Sequence, residues 1–138
     1  MPSNALTRRG LLATGVSTAA ALALSRFLTS PEVRAADSAD VRTFYDPRFP
    51  RSRDLADALP GAPPLYAVSG DPSHLLAHIP GGRPRTRDLR LQGVTTETVP
   101  FCLEQLARRH HEVRFESRRL DRDLFVWTLT IRAPAAVV

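Results

Sequence analysis

Three groups of polar side chains in this 138-residue chain have the type and spacing to do chemistry. The first comprises Asp46, Arg48 and Arg51, then Ser69, Gly70, Asp71 and His74, then Thr95 and Thr96. Each set follows a short apolar run and precedes a helix-forming stretch. Free backbone N–H groups at helix starts attract anions, and an arginine beside one can hold a carboxylate or phosphate. The second group is His74 and His78, four residues apart, the spacing that turns two imidazoles toward one metal from a helix. A zinc site needs a third or fourth ligand, and only Asp71 lies nearby, so the pair reads as metal-free. The third is Cys102 with His110, a thiol–imidazole combination. They sit about two turns apart on one helical stripe, beyond hydrogen-bond reach, which excludes a cysteine nucleophile.

Gly-x-Gly-x-x-Gly, the Walker loop, Gly-x-Ser-x-Gly and Cys-x-x-Cys-His are all missing from the sequence. No catalytic residue and no cofactor are therefore assigned. Cys102 is the single cysteine, so the fold depends on an apolar core rather than on disulfides.

The elements that must position the first group can be read from pattern. Val41 to Tyr45 is β-branched and aromatic, a strand, and Asp46-Pro47 ends it. Ser52 can cap a helix through Leu59, with Leu55, Ala58 and Leu59 on one face. Pro64 to Val68 is an uncharged run, read as a strand buried on both faces. Asp71-Pro72 reads as N-cap and first position of a helix from Ser73 to Ile79. Leu89 to Val94 alternates and is expected to have one exposed face. A helix capped by Thr95, Thr96 or Thr98 runs to about His110. Its expected buried stripe is Val99, Cys102, Leu103, Leu106 and His110, with Glu104 facing Arg108 outside. Val113 to Ser117 and Leu124 to Ile131, joined by Asp121-Arg122-Asp123, make an antiparallel hairpin.

The expected fold is α/β: a two- or three-layer sandwich on a mixed sheet, in the order β-α-β-α-β-α-β-β. If the first three strands are parallel, the first group of candidate residues lines their carboxyl edge, where open α/β sheets bind ligands.

The N-terminus carries a separate signal. Arg8-Arg9 precede Leu11-Leu12 and a run of small and apolar residues to Leu24, the charged and apolar regions of a secretory signal. The window Gly10 to Leu24 has 15 residues. A membrane span needs roughly 20, so no permanent span is expected. Val33-Arg34-Ala35 has small residues where a signal peptidase reads, placing cleavage after Ala35. The pattern Thr7-Arg8-Arg9-Gly10-Leu11-Leu12 resembles twin-arginine (Tat) export signals of bacteria, although Ala13 stands where a polar residue often follows. That resemblance implies the Tat translocase as a partner during export, a periplasmic location, and cargo that folds before crossing, often with a cofactor or a cofactor-bearing companion. The body resembles small uncharacterised Tat-exported bacterial proteins in Phe44-Tyr45-Asp46-Pro47-Arg48-Phe49-Pro50 and Phe101-Cys102-Leu103-Glu104-Gln105-Leu106-Ala107; no activity follows from that.

The organisation expected is a cleaved signal over 1–35, a flexible leader over 36–40, one domain over 41–132 and a flexible tail over 133–138. The chain has 19 arginines, no lysine and 14 acids. Removing 1–35 takes four arginines and Glu32, leaving 15 against 13 and a net charge of +2. Both signs are interspersed, without the basic stripe of a nucleic-acid binder. Tat-type export without a cofactor motif points to a companion: an exported, partner-binding accessory domain, a non-catalytic subunit of a periplasmic redox enzyme complex. The alternative is a small-anion-binding protein or enzyme with its site at the carboxyl edge.

Overall fold

The β-branched and aromatic run that ends at Tyr45 becomes the second strand of a five-stranded mixed sheet. In the computed structural model, which describes residues 18–29, 40–61, 64–69, 72–79 and 86–134, the sheet runs in the order β2-β1-β3-β5-β4. Its strands are β1 (Asp40–Tyr45), β2 (Leu65–Ala67), β3 (Leu89–Thr95), β4 (Val113–Arg119) and β5 (Phe125–Ile131). β1 pairs parallel with both β2 and β3, whereas β5 is antiparallel to β3 and to β4. The fold is α/β with a C-terminal hairpin, as the alternation of elements predicts.

Helices cover both faces. On one face, α1 (Thr18–Leu28), α2 (Pro50–Asp57) and the turn after α2 bury Leu24, Phe27, Leu55 and Leu59 against Val94, Val126, Leu120 and Leu124. On the other, a 3-10 helix (Pro72–His78) and α3 (Thr98–Arg108) pack Leu75, Val99 and Leu103 on Phe44, Leu89, Leu91, Trp127 and Leu129. Each fully buried side chain of this size contributes roughly 1.5–3 kcal/mol. No helix among the described residues is long and apolar enough to cross a membrane.

α1 lies outside the 41–132 body expected from sequence, yet it is part of the packed unit. Ala20, Leu24 and Phe27 recur at steps of four and three and are all buried, while Leu22 on the opposite side is exposed. Thr29 closes the helix by donating its Oγ1 hydrogen to Arg26 O at 2.9 Å. The Arg8-Arg9 motif, Ala35 and residues 36–39 lie outside the described residues.

Several elements differ from the sequence expectation. α2 starts at Pro50, with Phe49 at the N-cap, so Ser52 is inside the helix and is not its cap. β2 is a three-residue edge strand, half-buried rather than covered on both faces. β3 is central and every residue in it is buried, including Arg90 and Gln92; the expected solvent face does not exist because helices cover both sides. The second crossover is a 3-10 helix. α3 buries Val99, Pro100, Leu103 and Ala107, whereas Cys102 and Leu106 are half-buried and His110 is exposed. Its N-cap is Glu97, not a threonine, and makes no capping hydrogen bond. Glu104 and Arg108 do pair outside, at 3.2 Å.

One row of the sheet depends on a missing side chain. Phe44, Gly93 and Trp127 stand side by side on β1, β3 and β5. A Cβ at Gly93 would lie 2.5 Å from Phe44 O. Glycine lets the backbones approach, and the Phe44 and Trp127 rings stack across the gap with centroids 6.0 Å apart.

Candidate functional site

Register places the carboxyl edge. Tyr45 is opposite both Ala67 and Val94, so Asp46, Val68 and Thr95 form the next row. The chain leaves β1 into α2 on one face and leaves β3 into α3 on the other. Adjacent parallel strands whose connections part in this way open a crevice, the switch point at which α/β sheets bind ligands.

Asp46 is fully buried at this crevice. Its Oδ1 accepts the Arg48 backbone N–H at 3.0 Å, closing a local turn that suits the Asp-Pro-Arg sequence. The Arg48 guanidinium grips the same carboxylate, with Nε donating at 3.0 Å to Oδ1 and Nη2 at 2.7 Å to Oδ2. Its Cζ also lies 5.8 Å from the Phe49 ring centroid. The hydrogen bonds and charge of Asp46 raise the Arg48 pKa above its ordinary value. Although Asp46 is buried, the Arg48 side chain is 54% exposed, so solvent screens this pair on one side.

Ser52 fills the crevice between the strands. Its Oγ accepts the Asp46 backbone N–H at 2.7 Å and donates to Val94 O. Thr95 is held from the other face: Trp127 Nε1 donates to its Oγ1 at 2.9 Å, and Oγ1 donates to Thr96 O at 2.9 Å. Arg51 turns away from the crevice and forms an ion pair with Asp121 in the β4–β5 turn. The backbone N–H of Arg122 lowers the Asp121 pKa, and Arg51 adds to this.

The structure thus brings Asp46, Arg48, Thr95 and Thr96 to one edge but separates Arg51 from them. Ser69 is exposed just beyond Val68, whose N–H bonds to Tyr45 O at 2.8 Å. Gly70 and Asp71 lie outside the described residues. The two arginines offered for anion binding are both engaged by carboxylates. An incoming anion would meet an Arg48 guanidinium whose Nε and Nη2 already donate to Asp46.

His74 and His78 are separated by conformation. In a 3-10 helix residues i and i+3 eclipse, so i and i+4 diverge and the pair does not share a face. His74 is exposed. His78 is half-buried, its Nδ1 3.1 Å from Arg42 Nη1, which donates to it. The imidazole edge meets Phe44 and Tyr66, each with a centroid 4.9 Å away. Burial first, then the charges of Arg42 and His74, lower the His78 pKa below 6.5. No group of three or more His, Cys, Asp or Glu among the described residues is placed to hold a metal.

Two features of the site were not legible in the sequence. One is the Arg42–His78–Tyr66–Phe44 cluster; β1 and β2 composition pointed to strands but not to which residues would meet. The other is a polar strip inside the α2-covered face. Arg90 is 1% exposed, and burial pushes its pKa down to about 10. Gln92 Nε2 donates to Thr43 Oγ1 at 3.0 Å and to Pro60 O at 2.6 Å, tying the α2–β2 connection to the sheet. Gly61, with φ of +129°, makes the turn that brings that carbonyl in. Alternation in Leu89-Arg90-Leu91-Gln92 was the available signal, but it does not distinguish solvent from a buried polar layer.

No family model, curated protein or solved structure matches this chain.

Proposed function

We propose that this chain is an exported accessory domain that works by binding a larger protein, as a non-catalytic subunit of a periplasmic redox enzyme complex. The observation that carries the reading is the double role of α1. Residues 18–24, the end of the export signal's apolar run, are the first part of α1, which packs in one cluster with Leu55, Leu59, Val94, Leu120, Leu124 and Val126. Cleavage after Ala35 uncovers that cluster, and an uncovered apolar cluster of this kind needs a partner surface. The twin-arginine pattern supports export of a folded chain, and the lack of any cofactor motif supports a companion rather than the loaded enzyme.

The second reading, a small-anion site at the carboxyl edge, is favoured by the switch point between β1 and β3. It is opposed by the pairing of Arg48 with Asp46 and of Arg51 with Asp121. Affinity purification of the exported form from the periplasm, with mass spectrometry of everything retained, tests the first reading. A large subunit retained in fixed ratio is expected. A strictly monomeric protein that retains nothing overturns it.

A further inference from the structure

α1 lies in a groove lined by apolar residues from α2, the turn after it, the β4–β5 turn and the sheet. Leu55 of α2 and Leu59 just beyond its end, Leu120 and Leu124 of the β4–β5 turn, and Val94 and Val126 of β3 and β5 form one apolar cluster with α1. The Arg51–Asp121 ion pair joins α2 to that turn without involving α1. That pair links the two elements near the surface, apart from what lies in the groove. α1 seats a single stripe there, Ala20, Leu24 and Phe27, with the three residues 1%, 0% and 4% exposed.

We propose that this groove is the partner-binding surface, and that it takes an amphipathic helix of the partner in the place of α1. This deepens the accessory-subunit reading and rests on it. The chemistry of the occupant follows from the segment the groove already holds. It is a helix of about three turns with a small residue, a leucine-sized residue and an aromatic at i, i+4 and i+7. The stripe carries no charge, because none of the six groove residues could pair with one and a buried lone charge is strongly disfavoured. Helix-in-groove recognition reads i, i+3, i+4 and i+7 anchors in this way. Until residues 1–35 leave, α1 occupies the groove and competes with the partner in cis.

The test uses the exported protein purified from its own host with whatever it retains. Intact mass first establishes whether α1 has been removed; an exported chain that still contains residues 18–28 overturns the proposal. A labelled peptide of residues 16–30 is then titrated into the exported chain and followed by fluorescence anisotropy. Saturable one-to-one binding is expected. A peptide carrying Leu24→Asp and Phe27→Asp should bind at least about a hundredfold more weakly, since two buried apolar anchors become charges. Excess unsubstituted peptide should release the retained partner, and the substituted peptide should not. A partner that stays bound at saturating peptide overturns the groove while leaving the accessory reading standing. Equal binding of the two peptides also overturns it. If no partner is retained, the accessory reading itself fails.

Discussion

Leu24 and Leu22 provide a controlled measurement of whether α1 belongs to the core. Both are leucines in the same helix, so replacing either by alanine changes helix propensity by the same small amount. They differ in burial: Leu24 is 0% exposed and Leu22 is 55% exposed. Leu24→Ala removes a side chain packed in a cluster with Leu55, Val94, Leu120 and Val126, leaving a cavity that α2 and the β4–β5 turn can fill only by moving. Leucine-to-alanine changes at such sites cost about 2–5 kcal/mol, and about 3 is expected here because α1 is a peripheral helix able to settle inward. Leu22→Ala should stay within about 0.5 kcal/mol. The assay is urea unfolding of the full chain held in the cytoplasm by Arg8→Lys with Arg9→Lys, which keeps α1 attached. With a urea slope of about 1.5 kcal/mol per molar, Leu24→Ala lowers the midpoint by about 2 M while Leu22→Ala barely moves it. Equal midpoints for the two variants would refute the packing of α1 and, with it, the groove argument.

Further substitutions have expected outcomes. Gly93→Ala puts a Cβ against the Phe44 carbonyl in the centre of the sheet, where backbone on both sides cannot give way, and should cost about 3 kcal/mol in thermal or urea unfolding. Ser52→Ala strips the buried Asp46 N–H of its acceptor and should cost about 1–3 kcal/mol by the same assays, with the fold retained by circular dichroism. His78 has a folded pKa below its ordinary 6.5, so the unfolded chain takes up more protons as pH falls. Stability is therefore undiminished above 6.5 and declines from there down through the depressed folded value; His78→Gln should remove this part of the acid dependence in unfolding curves at about pH 7.5 and about pH 5. Replacing Arg8 and Arg9 by lysine should strand the protein in the cytoplasm on fractionation; continued export would remove the basis of the Tat reading.

The carboxyl-edge residues were placed by sequence because Asp-Pro and the apolar runs before them mark strand ends directly. Asp46, Thr95 and Thr96 lie at that edge as expected. What they do there was not legible, because a carboxylate that meets a ligand and one that meets Arg48 have the same sequence. Ser52 shows the same limit: its type suits a cap, and the preceding Pro50 at the first helical position is the local signal that moves it into the helix and onto Val94 O. His74 and His78 have metal-binding spacing only if the segment is an α-helix; the 3-10 geometry between Pro72 and His78 separates them.

Periodicity and turn residues act over a few neighbours, so the alternation of strands and helices, the parallel start and the hairpin end were already legible in the chain. The sequence also set the charge pattern and the paired arginines at the N-terminus. The insertion of β5 beside β3, the burial of Arg90 and Gln92, and the hold of Asp121 on Arg51 came from the tertiary structure alone. The tertiary structure alone put α1 on the sheet. Those outcomes depend on surfaces far apart in the chain that must cover one another, and no local pattern encodes which surface meets which.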